Sequence, residues 1–567
     1  MLHVRSRLEG KNLELLDMDY DILRLQLKIN ESVATMNALM KARLQKQKEA
    51  DSCQIWLSYA RLLPLDIIIR ILKFAKSSGS DDRSSPLKLS HVCSSWREAA
   101  LTCSSLWNGL ELSLPIFQRD SDDLVTQSNA VSSIIALWFG RANSSLPLTL
   151  SINVFPQLNL ATGEGVARGI LPFSSRVDSL CFEIRKTGLD SRSLRVFEAM
   201  TPFFKLPAGT FPSLEELTFI DWTPQKTDEV VPRITVFDLS PRLCTVILRA
   251  QSQWFNDEPS LILPWAQLTR LEVGGILTTS SFANIISQCR QLQKAIFCHV
   301  MMPVDEDEPP SIPEQRLTLP HLVDFKLGLS GPDLTDRDDI NDILNFILLP
   351  AVEKLALSRA IPLLQLFPYH GFPIYSLVPL PGGTFPPLRR LTLSFADISL
   401  EELLQLLNGC PLLEELSLCL NSIVPDSLLK ALTRAEHSQS EATVPLLSDL
   451  RSFAFGAQME HLQRNENVHN VVSAFGDLIT SWTSDPSRRH PLSKALLCLC
   501  DLFLDGDHRR SFTPGLKAQF EEAILHKIGE KSQVQISVEL TEYQYMSHLF
   551  DVMDPIERRR DNDSYFH

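Results

Sequence analysis

The sequence lacks several features that would point directly to a membrane or nucleic-acid partner. It has no continuous apolar run of about eighteen residues or more, which a membrane-spanning helix needs. The N-terminal stretch MLHVRSRLEGKNLELL lacks the apolar core of a secretory signal. Basic residues are outnumbered, with 54 Lys and Arg against 68 Asp and Glu, giving a formal net charge of −14. Because such a chain repels phosphate backbones, we do not expect a nucleic acid as its main partner. Since the apolar run is missing, we do not expect a membrane partner either.

Motifs for metals, cofactors and catalysis are also missing from the sequence. Cys498 and Cys500 lie two residues apart, but no second Cys or His pair follows at zinc spacing. The acidic run at residues 305–308 lacks the alternating ligands and central glycine of a calcium loop. Residues 163–169 do not have the spacing of a dinucleotide loop, and we interpret them as a glycine-rich turn. Since nucleophile elbows, phosphate loops and kinase signatures are absent too, we expect no enzyme, no metal and no cofactor.

The cysteines indicate the compartment in which the protein works. There are eleven, an odd number, and no secretory signal accompanies them. Cys244 and Cys419 lie inside apolar runs, which is typical of small buried hydrophobic residues. We therefore expect reduced thiols and an intracellular location, in the cytoplasm, the nucleus or both.

The first sixty residues are predicted to form one long helix, because no proline occurs before Leu63. One apolar series repeats every seven residues, and a second is offset from it by three. The two series are Leu8, Leu15, Ile22, Ile29 and Met36, and then Met18, Leu25 and Leu39. Such spacing is typical of a coiled-coil seam. Two interpretations stay open: a homodimer through this seam, or a single amphipathic helix packed on the rest of the protein.

A second predicted helix follows Leu63 and carries more apolar surface than one buried face can hide. Its sequence is LPLDIIIRILKFA, with Pro64 in the first turn, where a missing N–H has little consequence. Ile67, Ile68 and Ile69 spread over about 200° of the helix at about 100° per residue. Because a segment this short supplies little core of its own, the surplus apolar surface indicates a partner protein.

The apolar positions of residues 63–107 form an ordered pattern. They are Leu63-Pro64-x-Asp66, Ile71-Leu72, Leu89-x-x-Val92-Cys93-x-x-Trp96 and Leu106-Trp107. This pattern resembles the F-box, the adaptor-binding element of substrate receptors in cullin–RING ubiquitin ligases. Only the loop at residues 77–86 is longer than usual, and loop closure depends weakly on length. The alternative is an ordinary helical hairpin with a Leu/Ile core.

The resemblance carries expectations about partners. It implies a Skp-family adaptor bound by the helical segment and, through the adaptor, a cullin and a RING subunit. The adaptor-binding residues that it implies are Leu63, Pro64, Ile67, Ile68, Ile71, Leu72, Val92 and Trp96. Together with the heptads and the repeats described next, the segment looks most like the large F-box families of mushroom-forming fungi.

The rest of the chain repeats a short pattern. Its clearest copy is Leu388-x-x-Leu391-x-Leu393, followed by Ser399 as a predicted N-cap, a leucine-rich helix and Gly409 at the helix end. The next copy begins at Leu413, 25 residues after Leu388. Further copies, each given by three apolar anchors, are Val177-Leu180-Phe182, Leu214-Leu217-Phe219, Leu243-Val246-Leu248, Leu268-Leu271-Val273, Leu292-Ala295-Phe297, Leu322-Phe325-Leu327, Val352-Leu355-Leu357 and Leu450-Phe453-Phe455. This pattern resembles an irregular leucine-rich-repeat array.

Stacking of such units predicts the fold class. One strand and one helix cannot bury their own apolar faces, whereas stacked units share a continuous core with a parallel sheet on the concave side. We therefore predict an α/β solenoid preceded by helical segments. The predicted parts are a long helix at residues 1–60, an F-box at 61–112, a connecting region at 113–170, the repeat array at 171–545 and a polar tail at 546–567.

Candidate substrate contacts follow from the strand pattern. The residue between the second and third anchors points away from the core, because side chains alternate along a strand. These positions are Thr218, Ile247, Glu272, Ile296, Lys326, Thr392 and Ser417. Since only Glu272 and Lys326 among them are charged, we expect a protein substrate held by shape and apolar contact. Arg389 and Arg390, at the entry of one strand, keep recognition by charge open as the alternative.

The expected function is that of a substrate receptor in an SCF-type ubiquitin ligase, with the adaptor on the F-box and the substrate on the repeats. Two alternatives come from other classes. One is an F-box scaffold that binds the adaptor without directing degradation. The other is an enzyme whose site has no recognisable motif.

Overall fold

The chain divides into two structural units, Met1–Trp107 and Asn108–His567. In a computed structural model of the whole chain, the first unit is helical and the second is a mixed α/β unit built on a large parallel sheet. The structure describes residues 2–56, 63–77, 85–114, 124–154, 160–184, 194–221, 233–249, 260–301, 315–330, 343, 346–359, 372–373, 387–420, 425–437, 447–458, 465–484, 488–501, 514–528 and 534–542.

The first unit begins with the predicted long helix, α1 (Leu2–Trp56). Three short helices follow, α2 (Leu65–Ser77), α3 (Ser85–Ser90) and α4 (Ser94–Thr102). A single 3-10 turn, Ser104–Leu106, ends the unit.

A small core holds these short helices together. Ile68 and Leu72 of α2 have no exposed surface, and Leu106 and Trp107 are each 1% exposed. The Trp107 indole Nε1 donates a hydrogen bond to the backbone oxygen of Ala100 in α4, at 2.7 Å. Because a buried indole N–H needs an acceptor, this bond fixes the end of the unit on α4.

The second unit contains seventeen strands among its described residues. They are β1 (Gly109–Leu114), β2 (Leu148–Val154), β3 (Val177–Ile184), β4 (Glu216–Asp221), β5 (Thr245–Arg249), β6 (Arg270–Thr278), β7 (Lys294–Met301), β8 (Leu317–Thr318), β9 (Asp324–Ser330), β10 (Ile347–Leu348), β11 (Lys354–Arg359), β12 (Phe372–Pro373), β13 (Arg390–Asp397), β14 (Glu415–Leu420), β15 (Ser452–Gln458), β16 (Lys494–Asp501) and β17 (Gln535–Glu542). Fourteen form one continuous sheet in chain order, from β1 through β7, β9, β11 and β13 to β17. Of the other three, β12 pairs with β13, while β8 and β10 pair with each other. Every neighbouring pair in the large sheet is parallel.

Helices pack against one face of this sheet. The described ones are α5 (Leu124–Phe139), α6 (Leu160–Ile170), α7 (Leu194–Phe204), α8 (Thr279–Gln288), α9 (Leu400–Asn408), α10 (Pro425–His437), α11 (Asn465–Ser484) and α12 (Pro514–Ile528). Aromatic pairs join the two layers: the ring centroids of Phe182 and Phe203 are 4.9 Å apart, and those of Phe282 and Phe297 are 4.8 Å apart. Edge-to-face contacts of this kind add to the burial of apolar area that holds helix and sheet together.

The predicted strand anchors are confirmed as the core of this layer. In each of the ten predicted copies, the second and third anchors lie in a strand and are buried. The predicted cap is confirmed too, because the Ser399 hydroxyl accepts a bond from the Glu402 N–H, while the Glu402 side chain accepts one from the Ser399 N–H. Gly409 is the C-cap residue of α9.

The backbone repeats with the anchors. At each long strand from β5 to β16, the first residue and the residue before it both donate N–H bonds to one carbonyl, that of the residue just before the preceding strand. Glu414 and Glu415, for example, donate to the Arg389 oxygen at 2.7 and 2.9 Å. The successive strands therefore share one local geometry, even though the segments between them differ in length.

Two predictions for residues 113–170 are wrong. Residues 163–169 are helical and belong to α6, because glycine is needed there for close helix packing and not for a turn. A Cβ on Gly163 would lie 1.9 Å from the Ala199 oxygen of α7, and one on Gly165 would lie 2.5 Å from the Ser128 oxygen of α5. The region is also more than a connection, since β2 lies in the sheet between β1 and β3.

Several predicted segments lie outside the described residues. They are the acidic run at 305–308, most of the loop at 77–86 and the tail at 546–567.

Candidate interaction surfaces

One face of α2 is apolar and exposed. Ile67, Ile71 and Phe74 are 36%, 37% and 72% exposed. Their spacing, i, i+4 and i+7, places them on one side of the helix. Ile68 and Leu72 lie on the side that is packed into the core of the unit. The predicted surplus of apolar surface is therefore present as a defined stripe, Ile67–Ile71–Phe74, called here the α2 stripe.

Other apolar side chains of the same unit are also accessible. Among the residues predicted to bind the adaptor, Leu63 is half-buried, Pro64 is exposed and Val92 is 44% exposed. Leu65 and Leu87 are each 43% exposed and were not predicted. In the sequence these two leucines are marked only by their apolar side chains, and apolar character alone does not distinguish a core residue from a surface residue.

Three predicted adaptor-binding residues are corrected by their burial. Ile68 and Leu72 have no exposed surface, and Trp96 is 7% exposed. A helix that is apolar on all sides must turn one face towards its neighbours. Ile68 and Leu72 lie on that face of α2, and Trp96 is a buried side chain of α4. They support the helical unit and offer little or no surface to a partner.

The seam of α1 is open to solvent along its length. Its heptad residues are at least half exposed, from 50% at Met36 to 66% at Leu39. A second apolar series was missed by the sequence analysis and is exposed as well. It consists of Leu13, Leu16, Tyr20, Leu23 and Leu27. At about 100° per residue it lies on a different side of the helix from the heptad seam.

The sheet of the second unit has one face covered by helices and another that we call the open face. Side chains of the open face alternate with the buried anchors along each strand. Six of the predicted substrate-contact residues lie there and are half-buried. They are Thr218, Ile247, Glu272, Ile296, Lys326 and Thr392.

The seventh predicted contact, Ser417, is corrected. It is 4% exposed, and its neighbours on this face, Ala454 and Leu496, are 1% and 9% exposed. The predicted row is thus buried from β14 to β16, although Lys494, two positions before Leu496 on the same face of β16, is exposed. A substrate that contacts the open face would reach the strands before β14.

A second row of side chains lies on the open face beside the predicted one. These residues come just before the second anchor, two positions ahead of the predicted contacts, and so they share the same face. In register across β6, β7, β9, β11 and β13 they are Arg270, Lys294, Asp324, Lys354 and Arg390. This row was not predicted, although the alternation of side chains along a strand assigns both positions to the same face.

Ion pairs connect charged side chains of neighbouring strands on the open face. The Arg249 Nη2 atom is 2.9 Å from the Glu272 Oε1 atom, and the Arg270 Nη2 atom is 3.9 Å from Glu272 Oε2. On the next strands, Lys294 Nζ is 3.4 Å from Asp324 Oδ2. Glu272 is thus shared by two arginines, whereas Asp324 pairs with Lys294.

The arginines that kept charge recognition open are held by glutamates. Arg390 Nη2 donates to Glu415 Oε1 at 2.9 Å. Arg389 pairs with Glu414 and lies 3.9 Å from the carboxylate of Glu353. The Arg389 guanidinium therefore lies close to two carboxylates, those of Glu353 and Glu414, just before the start of β13.

Similarity to known proteins was sought over the whole chain. No known family model and no curated protein matches it. Among the described helices, none is both long and apolar enough to cross a membrane. The α2 stripe and the open face are therefore the basis for inferring function.

Thiols and metal-binding side chains complete the description. Burial raises the pKa of the Cys289 thiol to about 12 and that of Cys410 to about 11, so both are protonated at neutral pH. Within the part of the chain that the structure describes, no cluster of three or more His, Cys, Asp or Glu side chains could hold a metal ion. The described cysteines are packing residues in this arrangement.

Proposed function

We propose that the protein is a substrate receptor of an SCF-type ubiquitin ligase. The observation that carries this proposal is the α2 stripe, an exposed apolar surface on the first helix of a small helical unit. The order of apolar anchors in this unit resembles an F-box. Ile67 and Ile71, which that resemblance assigns to adaptor binding, are on the stripe, and an apolar patch rimmed by polar residues is typical of a protein–protein contact.

The second unit is proposed to be an irregular leucine-rich-repeat solenoid. Three features support this: the strands follow one another in chain order, all neighbours are parallel, and the paired N–H bonds repeat from β5 to β16. Each strand contacts the next along the array, which is the arrangement of stacked repeats. The open face would then be the concave surface, where such arrays bind ligands.

In this proposal the chain makes and breaks no bonds itself. The adaptor, bound through the α2 stripe, would connect it to the cullin and the RING subunit. The substrate on the open face would be brought near the ubiquitin-charged conjugating enzyme. The contribution to rate would come from proximity and effective concentration.

The proposal is tested by affinity purification of the full chain from cells of its source, followed by mass spectrometry. The variant is Ile67→Asp with Ile71→Asp, which places two charges on exposed positions and leaves the core untouched. Leu239→Asp is the matched control, because Leu239 is a 63% exposed leucine of the second unit. We expect adaptor, cullin and RING subunits to be lost from the double variant alone, while proteins bound by the second unit remain.

The same purification separates the ligase from a non-proteolytic scaffold. Proteins retained by the double variant are followed for their half-lives in cells that carry only this variant. Longer half-lives support the ligase, and unchanged half-lives for all of them support the scaffold. Retention of the cullin by the double variant would refute the α2 stripe as the adaptor site, and absence of adaptor and cullin from the wild-type purification would refute both functions.

A further inference from the structure

The open face is cationic in a chain that is acidic overall. From β5 to β14 the described strands carry six cations on the open face: Arg270, Lys294, Lys326, Lys354 and Arg390 in the two rows, and Arg249 two positions after the predicted row on β5. The same strands carry three carboxylates on this face, Glu272, Asp324 and Glu415. Six positive and three negative charges leave a net charge of +3, against −14 for the whole sequence.

The positive stretch has defined ends. In the row before the second anchor, Glu216 of β4 precedes it and Glu415 of β14 closes it. Beyond β14 the predicted row is buried, as the 1% exposure of Ala454 shows. The cations are thus concentrated on the accessible part of the face.

The carboxylates within the stretch do not cancel the excess. Glu272 is shared between Arg249 and Arg270, and Asp324 lies in register between Lys294 and Lys354. The Glu272 and Asp324 side chains are 13% and 17% exposed, so they orient the cations from within the surface. Such partly buried charges are less screened by salt than fully exposed ones.

We propose that the open face binds an extended acidic peptide segment of the substrate. The proposal deepens the proposed function by naming the substrate class. Charge complementarity decides it, because the excess of +3 lies where the sequence analysis expected apolar contact. Ile247 and Ile296 remain between the cations and supply the apolar part of the surface.

The spacing of the cations sets the spacing of the acidic groups. Arg270 and Lys294 lie on the neighbouring strands β6 and β7, while Lys354 and Arg390 lie on β11 and β13. The centres of these two cation pairs are three strand steps apart, roughly 14 Å at about 4.8 Å per step. An extended peptide advances about 3.4 Å per residue, so the acidic groups are expected about four residues apart.

A peptide suits this face better than a nucleic acid does. A long polyanion would be repelled by the remainder of a chain with a net charge of −14. Two or three anionic groups on a peptide match the local excess without that cost. Apolar side chains between the acidic groups would match Ile247 and Ile296.

The experiment measures binding of fluorescein-labelled peptides to the purified full chain by fluorescence anisotropy. The probe peptide carries two aspartates about four residues apart with leucines between them. Matched peptides carry asparagine or lysine in place of aspartate. We expect the aspartate peptide to bind about tenfold or more tightly than the asparagine peptide, to lose affinity as salt rises, and to bind far better than the lysine peptide.

Protein variants locate the site. Lys294→Gln with Lys354→Gln should reduce binding of the aspartate peptide to the level of the asparagine peptide. Lys494→Gln is the matched control, since Lys494 is an exposed lysine in the same row on β16, beyond the cationic stretch. It should leave affinity unchanged.

Several results would overturn the proposal. They are equal binding of the aspartate and asparagine peptides, no peptide binding at all, an equal loss in Lys494→Gln, and displacement of the peptide by a short single-stranded oligonucleotide at lower concentration than by unlabelled peptide. A phosphoserine peptide distinguishes the source of the anion: binding more than about tenfold above aspartate assigns it to phosphate, and weaker or equal binding assigns it to carboxylates. Adaptor binding by the same lysine variants is recorded in parallel, so failure here is distinguishable from failure of the proposed function.

Discussion

At the scale of single residues, the glycines of α6 show how one missing methyl group sets the packing of three helices. Gly163 and Gly165 allow α6 to approach the backbones of α7 and α5. A side chain at either position would collide with a carbonyl oxygen, which is fixed by its own helix and cannot move aside. The glycines therefore belong to the core of the second unit.

Substitution of Gly163 by alanine tests this contact. The new Cβ would lie 1.9 Å from the Ala199 oxygen, so α6 and α7 must separate. We expect a loss of about 1–3 kcal/mol in local stability, measured as faster amide hydrogen exchange in α6 and α7. Gly10→Ala is the control, because nothing lies within 4 Å of that Cβ position and alanine favours the helix by about 1 kcal/mol. Unchanged exchange in Gly163→Ala would contradict the close approach.

His299 on β7 is predicted to make stability depend on pH. Burial lowers the pKa of its imidazole below the usual 6.5. As pH falls from about 7.5 to about 5.5, the unfolded chain takes up a proton at this histidine more readily than the folded chain does, so the folded state is destabilised. His299→Gln should therefore lose less thermal stability over this range than the wild type.

The exposed His490 provides the control for that measurement. His490→Gln should leave the change in melting temperature between the two pH values as it is in the wild type. If His299→Gln and wild type lose the same stability on acidification, the buried neutral imidazole is not the cause.

Prediction of single residues succeeded where the pattern is local in the sequence, as at the start of a helix. Ser399 was predicted as a cap, and its hydroxyl and Glu402 form the reciprocal bonds of a capping box. It failed for residues 163–169, because glycine in a sequence signals either a turn or a close contact, and only the neighbouring chains decide which. Burial of Trp96 was missed for the same reason, since apolar character does not tell a core position from a binding position.

At the scale of elements, α1 and α2 both expose apolar side chains, but to different extents. Both carry more apolar surface than their own unit covers. In α2 one side is packed and the other forms the α2 stripe, whereas the heptad seam of α1 is at least half exposed throughout. The periodicity predicted both helices, but a local sequence pattern does not show what covers either surface.

The seam of α1 is predicted to mediate self-association. Ile22→Asp places a charge at a central seam position that is 54% exposed in the single chain, and it should abolish dimerisation. Ala38→Asp is the control, since this exposed position lies on the opposite side of α1 from the two heptad series. Sedimentation velocity of the full chain should show a wild-type and Ala38→Asp dimer and an Ile22→Asp monomer. A wild-type monomer at micromolar concentration would remove the homodimer.

Strands were predicted better than any other element. All ten copies of the three-anchor pattern form parallel strands, because alternating apolar residues at short intervals favour a strand buried on one face. β1, β2, β16 and β17 were not assigned to the sheet in advance, although Leu492, Ala495 and Leu497 follow the same spacing. The row of Arg270 and Lys294 was missed because only one outward position per strand was considered.

At the scale of the whole molecule, the proposed function gives the two units different tasks. The helical unit would present the α2 stripe to an adaptor, and the sheet unit would present its cationic open face to a substrate. The arrangement suits a protein that brings two others together.

The adaptor interaction is the central claim, and titration calorimetry of purified full chain with a purified Skp-family adaptor tests it most directly. We predict a one-to-one complex with the wild type and with Leu239→Asp. Ile67→Asp with Ile71→Asp should weaken binding about a hundredfold or more, equivalent to roughly 2.8 kcal/mol, because both charges would be buried at the centre of the contact. A wild-type chain that does not bind the adaptor, or a double variant that binds it as tightly as the wild type does, would contradict the account.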